Sequence, residues 1–236
     1  MSKVLLTILD GVGEAPEGPG NAVKLANTPN IDKLRAKYPF GILQCTGEAV
    51  GLPEGTMGGS EVGHLTMGAG RVIHQSLMEI DISIKDGSFF KKKPLIDAFE
   101  YVKKTGKTLH LLGMISDKGV HAHINHLFAL LEWVAKEGLK DVYIHCIADG
   151  RDVEKSCVKR YIKQVEDKTK ELGVGKIATL IGRNFTMDRD KHWGRIEKGY
   201  RLMTLGEGEE FKDAYMAADD FYAKVPDPID QYLPAS

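Results

Sequence analysis

The chain has 236 residues, with 32 basic side chains against 33 acidic ones, a net charge of −1, 42% hydrophobic and 28% charged. This is the balance of a globular chain with material for one large domain or two small ones, and it argues against a dedicated nucleic-acid face or a polybasic membrane surface. No apolar run approaches the roughly 18 residues of a membrane span. The start, Met1 to Asp10, is too short and too soon interrupted by Asp10 for a signal peptide. Three scattered cysteines, Cys45, Cys146 and Cys157, form no CxxC pair. Such a set points to reduced thiols and a cytoplasmic protein.

In chain order, the apolar run Val4 to Leu9 predicts a buried parallel strand, which ends in Asp10-Gly11. A carboxylate just past the first buried strand is where open α/β sheets place ligand chemistry, so Asp10 is a candidate metal ligand; a turn-capping role is the alternative. Short helices are predicted over Asn21–Ala26 and Ile31–Lys37, the second opened by Pro29 or Asn30, followed by a second strand over Phe40–Cys45. From Leu77 onward helices and strands alternate. Helices are predicted over Leu77–Lys85, Pro94–Lys104, Ile124–Glu137, Glu154–Leu172, Trp193–Met203 and Phe211–Ala217. Strands are predicted over Thr108–Met114, Asp141–Ile147 and Lys176–Ile181. The fold class read from this rhythm is α/β, with parallel sheets flanked by helices. The tail from Val225 to Ser236 carries three prolines and no clear element, so it reads as an extended end or a cut point.

The stretch Gly55 to Arg71 contains six glycines around Ser60. Clustered glycines cannot fill a core; they mark a strained turn or a close approach to a ligand. A short helix from Glu61 to about Met67 puts the Ser60 hydroxyl at a helix N-terminus, where free N–H groups favour negative charge. Ser60 is then either an oxygen nucleophile at an anion site or simply an N-cap.

Further polar clusters follow the three later strands: Ser116 to His126, Ala148 to Asp152, and Gly182 to Asp190. In a parallel sheet these ends open on one rim, which gathers His121, Arg151, Asp152, Arg183 and Arg189. Arginine forks match phosphate and carboxylate oxygens, and Asp152 is placed to orient an arginine or act as general base. His123 and His126 share an i, i+3 relation, but no known zinc spacing accompanies them; His126 reads as structural. A metal-and-serine pair in the first part and a basic pocket in the second suggest phosphoryl transfer through a serine, on a phosphorylated carboxylic acid.

With these motifs in view, the chain resembles the cofactor-independent (2,3-bisphosphoglycerate-independent) phosphoglycerate mutases of the alkaline phosphatase superfamily. The resemblance is carried by Leu9-Asp10-Gly11, Gly20-Asn21-Ala22 with Thr28-Pro29, and Gly51-Leu52-Pro53. It is densest in Ser60-Glu61-Val62-Gly63-His64-Leu65 with Gly68-Ala69-Gly70-Arg71. It continues through Gly119-Val120-His121, Asp149-Gly150-Arg151-Asp152 and Met187-Asp188-Arg189-Asp190.

The resemblance implies interconversion of 3-phosphoglycerate and 2-phosphoglycerate through a phosphoserine. Ser60 matches the nucleophile and, with Asp10, the metal contacts. His121, Arg151, Asp152, Arg183 and Arg189 match substrate-binding positions, and Asp152 is a candidate for proton transfer. The cofactors implied are two divalent ions, manganese in type, with no 2,3-bisphosphoglycerate. The partner implied is the small phosphoglycerate itself, bound by a monomer, with no nucleic acid or membrane.

The implied architecture is part of a phosphatase-like metal domain, residues 1–75, with an inserted phosphotransferase domain, residues 76–236. Members of that family are about twice as long, so the chain is expected to be an N-terminal half whose remaining metal ligands lie outside it. A non-catalytic phosphoglycerate-binding fragment or pseudoenzyme is the alternative, and a phosphatase of the same superfamily a third reading.

Overall fold

The computed structural model describes residues 3–236. The chain divides into two compact units, the first ending at Glu79 and the second running from Ile80 to Ser236.

The first unit holds α1 (Ala22–Leu25), α2 (Pro29–Lys37), a 3₁₀ turn (Gly47–Val50) and α3 (Ser60–Ala69). Pro29 takes the first turn of α2, where its missing N–H costs nothing. The strands predicted over Val4–Leu9 and Phe40–Cys45 do not form. Both segments are irregular, and their apolar side chains stand in solvent, with Val4 and Leu43 each 90% exposed. A strand is defined by its ladder, and among the described residues nothing pairs with either segment. Val50 is the one large apolar side chain buried in this unit among the described residues.

Helix α4 (Ser76–Asp86) spans the division in the chain; the second unit continues with α5 (Lys93–Thr105), then builds a parallel sheet from β1 (Leu109–Met114), β2 (Val142–Ala148) and β3 (Lys176–Gly182). The crossover helices are α6 (Ile124–Lys136) and α7 (Val158–Leu172); α8 (Trp193–Leu205) and α9 (Ala214–Lys224) follow β3. Strand order equals chain order, as expected of successive βαβ units. The three strands lie within one residue of their predicted bounds because each is a buried apolar run paired inside this unit.

One core cluster joins Ile144, Cys146, Ala148 and Leu180 of the sheet to Val158, Tyr161, Ile162 and Val165 of α7 and to Phe221 of α9. The α7 residues recur at the i, i+3, i+4, i+7 spacing of one helix face. A second cluster surrounds Trp133 of α6 with Phe89, Phe90 and Phe99, at ring-centroid distances of 6.1, 5.6 and 4.8 Å. Each such side chain contributes about 1.5–3 kcal/mol by leaving water.

Three boundaries depart from expectation. Helix α7 starts at Val158 rather than Glu154, because its first amides are capped from elsewhere in the chain: Cys157 and Val158 both donate to Asp230 Oδ2 at 2.7 Å. Helix α9 covers Ala214–Lys224 rather than Phe211–Ala217; its start is set by Asp213, which caps it by accepting from the Met216 amide at 2.9 Å. The tail is neither free nor featureless. It makes a 3₁₀ turn (Asp230–Tyr232) and then runs beside β3, with Gly182 N–H donating to the Leu233 carbonyl at 2.8 Å and Ser236 exchanging bonds with Leu180 at 2.9 and 3.1 Å.

Candidate functional site

The candidate residues fall into two cavities, one in each unit. In the first unit Ser60 is the opening residue of α3, and Gly59 is the N-cap. The hydroxyl therefore does not cap the helix. It donates instead to Asp10 Oδ2 at 2.5 Å, and His64 Nδ1, one turn on, lies 3.4 Å from the same hydroxyl and 2.8 Å from the Ser60 carbonyl oxygen. Asp10 reaches this position from the turn Leu9–Val12, where the Val12 amide donates to the Leu9 carbonyl at 3.2 Å. Just before α3, Gly58 lies against the chain at Cys45, where a Cβ would stand 1.8 Å from the Cys45 carbonyl oxygen.

The cavity, about 470 Å³, is lined by Asp10, Gly58, Gly59, Ser60, His64 and neighbouring apolar residues. The α3 N-terminus adds partial positive charge beside the hydroxyl. The Asp10 carboxylate and the Ser60 hydroxyl oxygen, side by side, fit one edge of a divalent-ion site with hard oxygen ligands. Ser60 and Asp10 are the groups that would touch such an ion, and they are too few to enclose it.

In the second unit a cavity of about 310 Å³ is lined by His121, Arg151, Asp152, Arg183, Asn184 and Arg189, with Asp188, Arg195 and Gln231 also on its wall. His121 comes from the loop after β1, Arg151 and Asp152 from the loop after β2, and Arg183 and Arg189 from the segment after β3. The parallel register puts these three loops on the same rim.

Asp149, at the end of β2, ties the loops together. Its carboxylate accepts from the Ser116 hydroxyl at 2.8 Å, from Arg183 at 2.6 Å, and from the Arg151 and Asp152 amides at 3.3 and 3.1 Å. Burial works against its charge, but these donors outweigh it and hold its carboxyl below the usual carboxylate range. Arg183 also donates to Asp152 Oδ2 at 2.5 Å, and the same oxygen lies 3.8 Å from His121 Nε2. Burial opposes the charge of Arg183 too, and its two carboxylate partners overcome that and raise its pKa.

The arginines therefore divide by partner. Arg183 is committed to two carboxylates, whereas the Arg151 and Arg189 side chains have no hydrogen-bond partner or ion pair among the described residues. Arg195 makes only long contacts, 3.3 Å to Asn184 and 3.4 Å to Asp188. The cavity can thus offer two or three uncommitted guanidinium forks to an anion, beside a carboxylate–imidazole pair.

Asp149, Arg195 and Gln231 were not singled out as site residues from sequence. The run Asp149-Gly150-Arg151-Asp152 at a strand end was the available signal for Asp149. Gln231 had none, because the tail carries no pattern that places it.

The remaining groups have other roles. His123 Nδ1 accepts from the Asn125 amide at 3.2 Å as the N-cap of α6, and His126 Nε2 lies 2.7 Å from Asp81 Oδ1, so these two histidines do not converge with His121 on a ligand. Asp188, Asp190 and His192 offer ligand atoms within 4.8 Å of one another. The Asp188 carboxylate, however, is already the acceptor for the Asp190 and His192 amides at 3.2 and 2.8 Å, which makes it a brace for the loop. All three cysteines are free, and burial pushes the Cys146 and Cys157 thiols up to about 12, far from a reactive thiolate. Among the described residues, no helix is long and apolar enough to cross a membrane.

Comparison with known proteins adds family identity. Residues 80–236 match the family described as the BPG-independent PGAM N-terminus. Over 224 residues the chain is 52% identical to a 2,3-bisphosphoglycerate-independent phosphoglycerate mutase of Clostridium perfringens, covering 94% of this chain and 44% of the relative. A second strain's protein of the same name is 51% identical over the same length. Among solved structures, a Leishmania mexicana phosphoglycerate mutase crystallised at low cobalt concentration superimposes with a TM-score of 0.75 at 36% identity, covering 97% of this chain and 43% of that one. The chain thus spans less than half the length of the curated relatives it matches. On a matched second unit and on identity across nearly all its length, the chain belongs to the 2,3-bisphosphoglycerate-independent phosphoglycerate mutase family, of which it represents the N-terminal half.

Proposed function

We propose that the chain supplies the nucleophile and much of the substrate pocket for interconversion of 3-phosphoglycerate and 2-phosphoglycerate through a phosphoserine at Ser60, a step of glycolysis and gluconeogenesis. The observation that carries this reading is the Ser60 hydroxyl at the head of α3, hydrogen-bonded at 2.5 Å to Asp10. Ser60 Oγ attacks phosphorus as its proton passes to Asp10, the bond from phosphorus to the glycerate oxygen breaks and that oxygen takes up a proton; the reverse steps then return the phosphoryl group to the neighbouring glycerate oxygen. Asp10 orients the hydroxyl, and the α3 N-terminus favours the charge that builds on it.

In the second unit Arg151 and Arg189 hold the anionic groups of the glycerate. Arg183 fixes Asp152 in place, and Asp152 with His121 moves the proton at the glycerate hydroxyl. Asp10 and Ser60 would hold part of a divalent-metal site, manganese in type, whose charge would lower the serine pKa and offset that of the phosphoryl group. We place the protein in a reducing compartment, the cytoplasm, on the strength of its three free, scattered cysteines.

Incubation of the purified chain with manganese and 3-phosphoglycerate, with and without the C-terminal half of a family member, tests the proposal. Expected are 2-phosphoglycerate and a phosphate mass on Ser60 that is absent in Ser60→Ala; neither product under either condition overturns it. A second reading is favoured by the two-oxygen metal edge at Ser60 and the 44% coverage: the chain alone binds phosphoglycerate without turning it over. Calorimetric binding without product, from the chain alone, is the result expected of that reading.

A further inference from the structure

The cavity in the second unit is backed by a segment to which the mechanism gives no role, the tail turn at Asp230. Its carboxylate is fully buried, with 0% exposure, and every one of its hydrogen bonds reaches another part of the chain. Oδ2 accepts from the Cys157 and Val158 amides at 2.7 Å each, which anchors it on the N-terminus of α7. Oδ1 accepts from the Tyr222 hydroxyl of α9 at 2.6 Å, and the Asp230 amide donates to the Lys155 carbonyl at 2.7 Å.

So anchored, the turn packs on two glycines, Gly150 and Gly182. A Cβ on Gly150 would stand 2.8 Å from the Asp230 Cβ, and one on Gly182 would stand 2.3 Å from the Gln231 carbonyl oxygen. Each glycine immediately precedes a cavity arginine, Arg151 and Arg183. Gln231, next along the turn, is itself on the cavity wall. Burial raises the Asp230 carboxyl against the pull of Tyr222 and the two amides, so its charge is held here at a cost to stability.

We infer that Asp230 is a positioning residue for the anion cavity: by fastening the tail turn to α7 and α9 it sets the backbone from which Arg151 and Arg183 project. This rests on the phosphoglycerate reading of the cavity, and it predicts more than a contribution to stability.

The test compares Asp230→Ala with Asp230→Asn in the full chain. An asparagine can keep all three side-chain contacts, with its oxygen accepting from the two amides and its NH₂ donating, in reverse of the parent bond, to the Tyr222 oxygen; alanine keeps only the backbone bond to Lys155. Two readouts are taken well below the unfolding temperature: calorimetric binding of 3-phosphoglycerate, and amide hydrogen exchange. Asp230→Ala is expected to weaken binding roughly ten-fold, and Asp230→Asn to stay near the parent. Exchange should quicken at Arg151, Asp152 and Met187, whose amides are bonded within the two loops, and stay unchanged in the core of α6.

If Asp230→Ala lowers the unfolding temperature while affinity and loop exchange match the parent, Asp230 only caps α7 and the inference is overturned. If the parent itself does not bind 3-phosphoglycerate, the substrate reading fails, and loop exchange alone decides the positioning role. If Asp230→Ala does not fold, Tyr222→Phe removes one of the three donors; faster exchange in the two loops supports the inference, and unchanged exchange overturns it.

Discussion

The two units hold equally apolar segments and treat them in opposite ways. Val4 to Leu9 is as hydrophobic a run as Ile177 to Ile181, yet Val4 is 90% exposed while Ile181 is 0% exposed. The second run has β2 on one side and the tail on the other; the first has no paired strand among the described residues. Hydrophobicity makes burial favourable but supplies neither the ladder nor the covering helix, and both come from other parts of the chain. The candidate sites differ in the same way. The second unit's cavity is braced by Asp149, which collects donors from all three strand-end loops, whereas at Ser60 two oxygens meet in an open setting and no residue of α3 is buried.

The largest expected effect sets a core residue of one unit against an apolar residue of the other. Trp133→Ala should lower unfolding free energy by about 3–5 kcal/mol, and Leu5→Ala should change it by less than about 0.5 kcal/mol. Denaturant unfolding of each variant measures both, and a comparable loss at Leu5 would show that the first unit's apolar run is buried in solution.

Next comes the brace. Arg183→Ala leaves the Asp149 carboxylate buried without its cation, and about 3 kcal/mol of stability should be lost. Asp149→Asn in the same background should recover part of it, because the uncompensated charge is gone. Equal stability of the single and double variants would mean that the ion pair is not what holds the rim.

The smallest effect is a pH dependence confined to the second unit. His145 in β2 sits 2.9 Å from His110 Nδ1 through Nε2 and 2.9 Å from the Thr179 hydroxyl through Nδ1. Burial first, and then the neighbouring His110, lowers its pKa. A lowered folded-state value means that the unfolded chain takes up the proton more readily. The stability tied to neutral His145 is therefore complete above about pH 6.5 and is lost as pH falls through the folded-state value. The urea midpoint should fall on going from about pH 7.5 to about pH 5.5, and His145→Gln should flatten that fall. A slope unchanged in the variant would assign the acid sensitivity elsewhere.

Much of the second unit could be read from the residues in order. Buried apolar runs marked the three strands, 3.6-residue spacing marked α6 and the later part of α7, and the parallel-sheet rule put His121, Arg151, Asp152, Arg183 and Arg189 on one rim. Reading failed where an element depends on distant contacts. The start of α7 is set by a carboxylate 72 residues further on, so Glu154 to Cys157 looked helical but is not. The tail looked featureless because its order comes from β3 and Gly150, not from any pattern of its own. Asp149 looked like one more acidic residue at a strand end, since four donors meeting on one carboxylate are invisible in one dimension.

Residue order alone was therefore enough for the α/β class, the elements of the second unit, the family motifs and the types of group the chemistry needs, because those rest on short-range periodicity and on side-chain chemistry. Folding in three dimensions settled which apolar runs are buried, which arginine is spent on carboxylates and which remain uncommitted, and that a tail without pattern backs the second unit's cavity. Each of those depends on a partner far away in sequence, and a partner's position is a property of the packed chain.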